Sequence, residues 1–477
     1  MDFSGFLLMR QEVALTAAML ALLLYDIFGP ASWRQHLRLV ATVAMAAVVA
    51  VGFLPATTGE AFGGCYVASE MTALMKNILT VATLFVFLQI GGWLRAGERA
   101  HREGEFYYIT TATLLGMELM VSAGNFMMLY VGVELASLPL ACLAAYDKYR
   151  NKSAEAGAKY ILFSALSSGV MMFGLSYLYG AVGTLYFSDV SAVVSPTPLA
   201  LLGFVFFFAG LAFKISLVPF HLWTADVYEG APTGVTAYLS VASKAAGCFV
   251  LLFTLYFVFG RIEGIWYAML WALSVATIVI GNLFALRQKD IKRFFAFSSI
   301  SQAGYIMLGV MGGTAQGMAS TVYFILVYLF SNMAAFGVIA AVEGCSGRTD
   351  IAAFDGLRRS NPRLAFVMML ALFSLAGIPP FAGFFSKFFI FAAAAARGEY
   401  VLVFIALVNT VVSLYYYLLI VKAMFINEAE GEGLGRIRTD NYNRLSLVLC
   451  TAAIIGVGIV SAIYGYVGDM SAGVALK

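Results

Sequence analysis

The chain has 477 residues, of which 62% are hydrophobic and only 12% are charged, and its mean hydropathy is +0.89. These values lie far outside the range of soluble domains and predict a polytopic membrane protein, with the lipid bilayer as its first partner. The net charge of +3 is small, and the charged residues form short clusters between apolar runs. This pattern excludes a basic face for nucleic acid.

Cysteine and histidine are too few and too scattered for a metal or redox centre. The five cysteines show no CxxC spacing, and two of the three histidines fall in polar loops. We therefore expect no metal site and no cofactor bound by this chain. The cysteines are Cys65, Cys142, Cys248, Cys345 and Cys450, and the histidines are His36, His101 and His221.

Each apolar run of about 20 residues can cross a hydrocarbon layer of about 30 Å. The sequence predicts an all-α bundle of about fourteen such helices. The first run has no small-residue cleavage site and is predicted to be a retained helix. The predicted spans are 11–28, 37–54, 72–94, 107–123, 125–146, 155–180, 199–222, 233–259, 264–286, 294–312, 318–343, 362–395, 400–426 and 445–467.

Lysine and arginine are concentrated in alternate loops, while the opposite loops hold little beyond Arg261 and Arg397. Because positively charged loops face the cytoplasm, both termini are predicted on the other side of the membrane. The basic loops contain Arg34, Arg38, Arg95, Arg99, Arg102, Lys148, Arg150, Lys152, Arg287, Lys289, Lys292, Arg293, Arg348, Arg358, Arg359, Arg363, Arg436, Arg438 and Arg444.

Two apolar runs are interrupted by proline and carry a lysine: Lys214 precedes Pro219, and Lys387 follows Pro379 and Pro380. Because these runs lie five spans apart, the pattern predicts two five-helix repeats of opposite topology, each with a broken helix. The predicted division is a three-helix segment at 1–106, repeats at 107–259 and 260–427, and a final loop and helix at 428–477. The alternative is that the prolines kink two unrelated helices.

Five of the ionisable side chains inside the predicted spans carry the functional hypothesis: Glu134, Lys159, Lys214, Lys244 and Lys387. A lysine at the centre of a membrane helix costs about 2.5 to 3.5 kcal/mol on translocon scales, so such a charge is by default a functional-site hypothesis. A nearby carboxylate stabilises the charged lysine, and moving or protonating that carboxylate favours release of the lysine's proton. We therefore predict proton transfer, with Glu134 paired to Lys214.

The remaining groups receive distinct predicted roles. Lys159 acts on the neighbouring lysine by like-charge repulsion, and Lys244 passes protons along waters toward Lys387. His221, beside the first break, is a predicted relay because imidazole titrates near neutral pH. In the competing structural interpretation the charges are ion pairs that join helices, Lys159 reaches the membrane interface, and His221 binds the carbonyls freed by Pro219.

Four further charged residues are assigned mainly to local contacts. Asp226 and Glu229 are predicted to stabilise helix ends and the adjoining loop, with a coupling role as the alternative. Lys76 and Glu118, in the third and fourth predicted spans, are predicted to pair with each other.

Four long motifs follow one another along the chain and resemble the subunit N family of bacterial NADH-quinone oxidoreductase, respiratory complex I. The resemblance runs from about Met117 to Phe425. A lysine in the twelfth span and the run Asp-Val-Tyr-Glu-Gly-Ala-Pro-Thr favour subunit N over the other antiporter-like subunits. The motifs are SAEAGAKYILFSALSSG (153–169), HLWTADVYEGAPTGVTA (221–237), LRQKDIKRFFAFSSISQAGY (286–305) and LAGIPPFAGFFSKF (375–388).

The resemblance implies a proton-translocating subunit of an NADH:quinone oxidoreductase, an enzyme of the translocase class, in a bacterial inner membrane. It implies that NADH, FMN, iron–sulfur clusters and quinone belong to partner subunits of the membrane and peripheral arms. It also matches Glu134 and the four lysines to the family's proton pathway. The alternatives are a subunit of a multi-subunit sodium or potassium/proton antiporter without redox coupling, and a structural scaffold.

The chain departs from the family pattern at several positions. Ser243 stands where a proline commonly precedes the eighth-span lysine, and Gln302 stands where a histidine is frequent. Since glutamine does not titrate, a protonatable relay at that point is in doubt. Glu118 replaces a residue that is more usually apolar, and Ala225 replaces the proline before Asp226.

Overall fold

The computed structural model describes residues 4–428 and 434–475. Apart from one short hairpin, its regular structure is helical. The elements of the first half are α1 (Ser4–Leu8), α2 (Arg10–Phe28), α3 (Leu37–Gly52), β1 (Gly59–Ala61), β2 (Tyr66–Ala68), α4 (Glu70–Leu94), α5 (Glu103–Val121), α6 (Phe126–Ala144), α7 (Asn151–Val182), α8 (Phe187–Val193) and α9 (Pro198–Ile215). They continue with α10 (Leu222–Gly230), α11 (Thr233–Tyr238), a π turn (Leu239–Ser243), α12 (Lys244–Phe253), α13 (Glu263–Ala285), α14 (Ile291–Met311), α15 (Ala315–Ser346), α16 (Leu357–Ser360), α17 (Pro362–Ala376), α18 (Ala382–Ala396), α19 (Tyr400–Phe425), α20 (Asn441–Ile459) and α21 (Ala462–Ala475).

Within this described part, twelve helical segments are long and apolar enough to cross a membrane. Helix α5, with 19 residues, is long enough for a thirteenth crossing, and the 15-residue helices α17 and α18 form a broken fourteenth. Residues 122–125 separate α5 from α6, so this short joint divides two helices. The prediction of an all-α membrane protein with about fourteen crossings is confirmed.

Two predicted helix boundaries are wrong. The span expected at 199–222 ends as a helix at Ile215, because Ser216 adopts a left-handed conformation with φ 65. The span expected at 445–467 is divided between α20 and α21, which are separated at residues 460 and 461. The break expected inside 362–395 is present, and Gly377 (φ 85) ends the first of its two helices. The Val218–Pro219 and Pro379–Pro380 peptide bonds are cis.

The chain forms two compact units. The first contains, among described residues, the chain up to Phe87, Leu94–Ile215 and Ala242–Ala268. In it α5 packs against α6, and α7 packs against α9. Gly116 allows the first of these contacts, because a Cβ there would lie 2.3 Å from the backbone nitrogen of Ala136. The close approach holds the helices that carry Glu118 and Glu134 side by side.

The second unit contains Leu88–Trp93, Ser216–Val241 and the described chain from Met269 onward. Helix α15 is its centre and packs against α14, α17, α18, α20 and α21. The two halves of the broken crossing also touch, because Gly383 of α18 approaches α17 so closely that a Cβ would lie 1.6 Å from the Ser374 carbonyl oxygen. This packing buries the lysine of α18.

Candidate proton-transfer sites

Lys214 lies in the last turn of α9, inside the first unit, with only 5% of its surface exposed. Its Nζ donates a hydrogen bond to the hydroxyl of Ser137 on α6. The Ser137 hydroxyl in turn donates to the carbonyl of Val133, one turn earlier on the same helix. A buried amine is thus held by a hydroxyl that is itself fixed in direction by the helix backbone.

Glu134 is half-buried on α6, three residues before Ser137. Its carboxylate is the acidic group whose charge acts on the Lys214 amine. The amine makes no direct ion pair with any carboxylate in residues 4–428 and 434–475. The side chain in direct contact with the Lys214 amine is therefore Ser137, and not Glu134 as predicted. Sequence analysis missed this serine, although its i+3 spacing from Glu134 places both on one side of α6.

Lys244 is also buried in the first unit, with 4% of its surface exposed. It opens α12 directly after the π turn Leu239–Ser243. Its electrostatic neighbour is Cys248, one helical turn further on. π turns inside helices occur frequently at functional sites, and this one ends at Ser243, the residue before Lys244. Ser243 interacts with the fully buried hydroxyl of Tyr160.

Lys159 does not lie free beside Lys214. Its Nζ forms an ion pair with Glu155 at 2.7 Å, one turn earlier on α7. The two side chains are 35% and 61% exposed in the isolated chain, on a helix face that also exposes Leu162 and Leu166. Glu155, which sequence analysis did not select, is thus the direct partner of Lys159, and both present their charges at the surface of the chain.

Lys387 is buried in the second unit, on α18 just after the break, with 5% of its surface exposed. Its Nζ donates to the carbonyl of Ala376 at 3.1 Å. It also lies 5.1 Å from the centroid of the Tyr305 ring, in a cation–π contact. The carbonyl is one of those left unbonded where α17 ends, so the break itself supplies a ligand for the amine.

Lys387 also lines a small cavity together with Gln302, Ser331, Ser374 and Ser386. The cavity measures about 10 Å³, room for about one water molecule. The Gln302 amide donates to the carbonyl of Leu375 at 3.3 Å and to the hydroxyl of Tyr417 at 3.2 Å. Gln302 therefore continues a line of neutral polar groups at the point where a titratable relay was in doubt.

His221 immediately precedes α10 in the second unit and is half-buried. Its role as a relay remains a prediction. Asp226 and Glu229 of α10 both bind Arg293 Nη1, at 2.7 and 2.9 Å. These two acids therefore fasten α10 to the start of α14.

Lys76 and Glu118 do not form the predicted ion pair. Lys76 Nζ binds the carboxylate of Glu12 at 2.9 Å, and Glu118 accepts a hydrogen bond from the hydroxyl of Thr80 at 3.0 Å. The expectation was wrong because Glu12, at the start of α2, is closer to the amine than Glu118. Because Glu12 and Lys76 lie on helices far apart in the sequence, the spacing of residues within one helix cannot reveal that they pair.

Among the described residues, no cluster of three or more His, Cys, Asp or Glu side chains is placed to hold a metal ion. The cysteines Cys65, Cys142, Cys248, Cys345 and Cys450 are free thiols.

Comparison with known proteins agrees with this geometry. The family described as NADH:quinone oxidoreductase/Mrp antiporter matches residues 123–413. NADH-quinone oxidoreductase subunit N of Azobacteroides pseudotrichonymphae genomovar. CFP2 is 62% identical over 480 residues and covers 100% of both chains. A chain of respiratory complex I from Thermus thermophilus, solved with bound aureothin, is 30% identical, with a TM-score of 0.79 and coverage of 95% of this chain and 97% of that one.

A chain of the Mrp complex from Dietzia sp. DQ12-45-1b has a TM-score of 0.86 at 19% identity, covering 99% of this chain and 97% of its own, and so shares the fold. The fold alone does not separate redox-linked subunits from antiporter subunits, but the identity and full coverage of the subunit N relative do. The chain therefore belongs to the subunit N family of NADH-quinone oxidoreductases.

Proposed function

We propose that this chain is a proton-translocating membrane subunit of a complex I-type NADH:quinone oxidoreductase. The observation that carries the proposal is the burial of Lys214, Lys244 and Lys387, each at least 95% covered, in a family member whose relatives are named for this enzyme. Three ammonium groups at about 3 kcal/mol each would cost a large part of a typical folding free energy of about 5 to 15 kcal/mol. Because burial of these three ammonium groups is so costly, a functional role explains their presence better than a role in helix packing.

In the proposed mechanism, quinone reduction in partner subunits shifts charge along the membrane arm. Glu134 responds by changing its distance or protonation, which changes how strongly the charged form of Lys214 is stabilised. Ser137 keeps the amine in a fixed position while its proton is exchanged. Transfer then proceeds through Lys244 to Lys387, with His221 as a relay and Lys159 as a modulating charge.

We propose that this pathway runs through two inverted repeats, at 107–259 and 260–427, flanked by 1–106 and 428–477. Support comes from the two breaks, because in each a left-handed residue stands three positions before a proline. Ser216 precedes Pro219, and Gly377 precedes Pro380, in this way. A shared local geometry at corresponding breaks is what duplicated units retain.

The proposed partners are the other membrane-arm subunits and the peripheral arm, which hold FMN, the iron–sulfur clusters, NADH and the quinone site. The proposed location is a bacterial inner membrane, with both termini on the non-cytoplasmic side. The asymmetric distribution of lysine and arginine supports this orientation. Residues 1–3 and 476–477, which the orientation concerns most directly, lie outside the described residues.

The test is Lys214→Met in the complete complex, reconstituted in vesicles. We expect assembly and NADH-driven quinone reduction to be detectable while proton uptake is lost. The matched control is Lys422→Met, an exposed lysine near the end of α19. Normal uptake in the Lys214 variant would overturn the assignment, and proton movement driven by a sodium gradient without NADH would support an antiporter instead.

A further inference from the structure

A buried ionic cluster in the N-terminal part of the first unit contains none of the residues assigned to the proposed pathway. Glu12 of α2 is 2% exposed and Lys76 of α4 is 2% exposed, and they form the 2.9 Å ion pair. The Tyr66 hydroxyl of β2 accepts from Lys76 at 2.9 Å and donates to both Glu12 oxygens at 3.0 and 3.1 Å. These three groups satisfy one another.

Glu118 of α5 is the fourth member and is fully buried. Its Oε1 accepts from Thr80, which stands one turn after Lys76 on α4. Its Oε2 is buried and makes no hydrogen bond to any residue in the described part of the chain. The charges of Glu12 and Lys76 both act on this carboxyl. One oxygen is therefore bonded, while the other is buried and has no hydrogen-bond partner among the described residues.

The charges of the cluster do not balance. The titratable groups that face one another are Glu12 from α2, Tyr66 from β2, Lys76 from α4 and Glu118 from α5. Burial, followed by the charge of Glu12, raises the pKa of Tyr66 to about 12, so this hydroxyl remains protonated. Two carboxylates and one ammonium leave one excess negative charge, and a buried charge without compensation is strongly destabilising. A single bound proton removes it.

We propose that Glu118 is a proton-binding site, whose carboxyl holds one exchangeable proton controlled by the neighbouring Glu12–Lys76 ion pair. When the proton leaves, a neutral carboxylic acid becomes a carboxylate and the proton passes to water. Glu118 stands three residues before the end of α5, about 4.5 Å along the helix axis from its last residue. The site therefore lies near the end of the bundle at which the β1–β2 hairpin packs.

The hairpin borders the cluster through Tyr66, which bonds to Glu12 and Lys76. Tyr66 and Ala61 are buried and pack against Leu8, Met9 and Met128. Proton exchange with water from this side requires Tyr66 or the hairpin to move. The ion pair supplies the control, because any change that weakens the bond between Glu12 and Lys76 frees the ammonium to stabilise a Glu118 carboxylate.

The test uses infrared difference spectra of the complete complex in lipid, recorded between neutral and alkaline pH in H₂O and in D₂O. The wild type should show the carbonyl stretch of a protonated carboxylic acid, shifted in D₂O, that disappears on deprotonation. Glu118→Gln preserves the shape of the side chain and its bond to Thr80, so it should assemble and lack this band. An unchanged spectrum in Glu118→Gln overturns the proposal.

A second variant tests the charge count. In Glu12→Gln, Lys76 has only Glu118 as a counter-charge, so Glu118 should already be ionised at neutral pH and the band should be missing although the residue is present. Persistence of the band in Glu12→Gln would contradict control by the ion pair. Glu70→Gln, which alters an exposed acid in the first turn of α4, should leave the band unchanged. These results do not depend on Lys214, so they are separable from the test of proton pumping.

Discussion

The lysines beside the two breaks are buried to the same extent but are compensated differently. Lys214 lies before its break, with a hydroxyl in contact and a carboxylate acting on it. Lys387 lies after its break and is held by a backbone carbonyl and an aromatic ring. Among the described residues, the cost of burying the ammonium is thus offset by a formal charge at the Lys214 site and by dipoles at the Lys387 site.

In the proposed mechanism, this difference gives the two lysines different roles. A site with a carboxylate responds to any change in that carboxylate's position or protonation, so the Lys214 site is suited to receive a signal. A site stabilised by fixed dipoles does not respond to a carboxylate in this way. The Lys387 site is therefore suited to passing on a proton when it arrives.

The largest effect is expected for Lys387→Met. If Lys214 and Lys387 are steps of one proton route, removing either amine stops transfer. Proton uptake per electron transferred should therefore fall more than about tenfold, which corresponds to an increase in the barrier above about 1.4 kcal/mol. Proton uptake in vesicles, normalised to quinone reduction, measures it. Retention of uptake would show that the second unit is not on the route.

Ser137→Ala should have the next largest effect. Hydrogen bonds to charged groups contribute about 1.5 to 3 kcal/mol, so losing the Ser137 hydroxyl should slow uptake about tenfold while leaving assembly intact. Thr254→Val is a matched control in the same unit, because the Thr254 hydroxyl bonds only carbonyls of its own helix. Equal effects in the two variants would mean that Ser137 contributes to packing rather than to the Lys214 site.

Substitutions of Tyr305 test whether the ring contact stabilises the Lys387 site. Tyr305→Leu removes the cation–π contact with Lys387, a contribution of about 1 kcal/mol, and should slow uptake about fivefold. Tyr305→Phe preserves the ring and should remain close to the wild-type rate. If Phe and Leu give the same loss, the hydroxyl matters and the ring contact does not.

The smallest effect is expected for Gln302→His. Gln302 bridges neutral groups, and a histidine retains a donor and adds a titratable ring, so uptake should stay within about twofold of wild type at neutral pH. The pH profile of uptake distinguishes the possibilities. A gain of several-fold would show that the neutral bridge limits transfer in this chain.

Much of the fold was predictable because hydropathy reports membrane crossings directly. Runs of about 20 apolar residues locate most helices, and paired prolines locate the break between α17 and α18. The end of α9 was not predictable, because Ser216 leaves the helix three residues before the proline and serine carries no signal for a left-handed conformation.

The positions of the buried lysines could be predicted from the sequence, whereas most of the groups that contact them could not. Lysines within apolar runs are visible as violations of the pattern, whereas the groups that contact Lys214, Lys387 and Lys76 lie on other elements of the fold. Ser137 was missed because a serine in a membrane helix is unremarkable in sequence, and Glu12 because it stands at a helix start where acids are common. Tertiary packing, not local spacing, selects both.

In the proposed mechanism, the carboxylate of Glu134 controls the buried amine of Lys214. The most direct measurement is the ratio of protons taken up to electrons transferred in vesicles that contain the complete complex with Glu134→Gln, beside Glu70→Gln as an exposed-acid control. We predict that the ratio falls sharply in Glu134→Gln while quinone reduction continues, and that it is unchanged in the control. An unchanged ratio in Glu134→Gln would contradict the account.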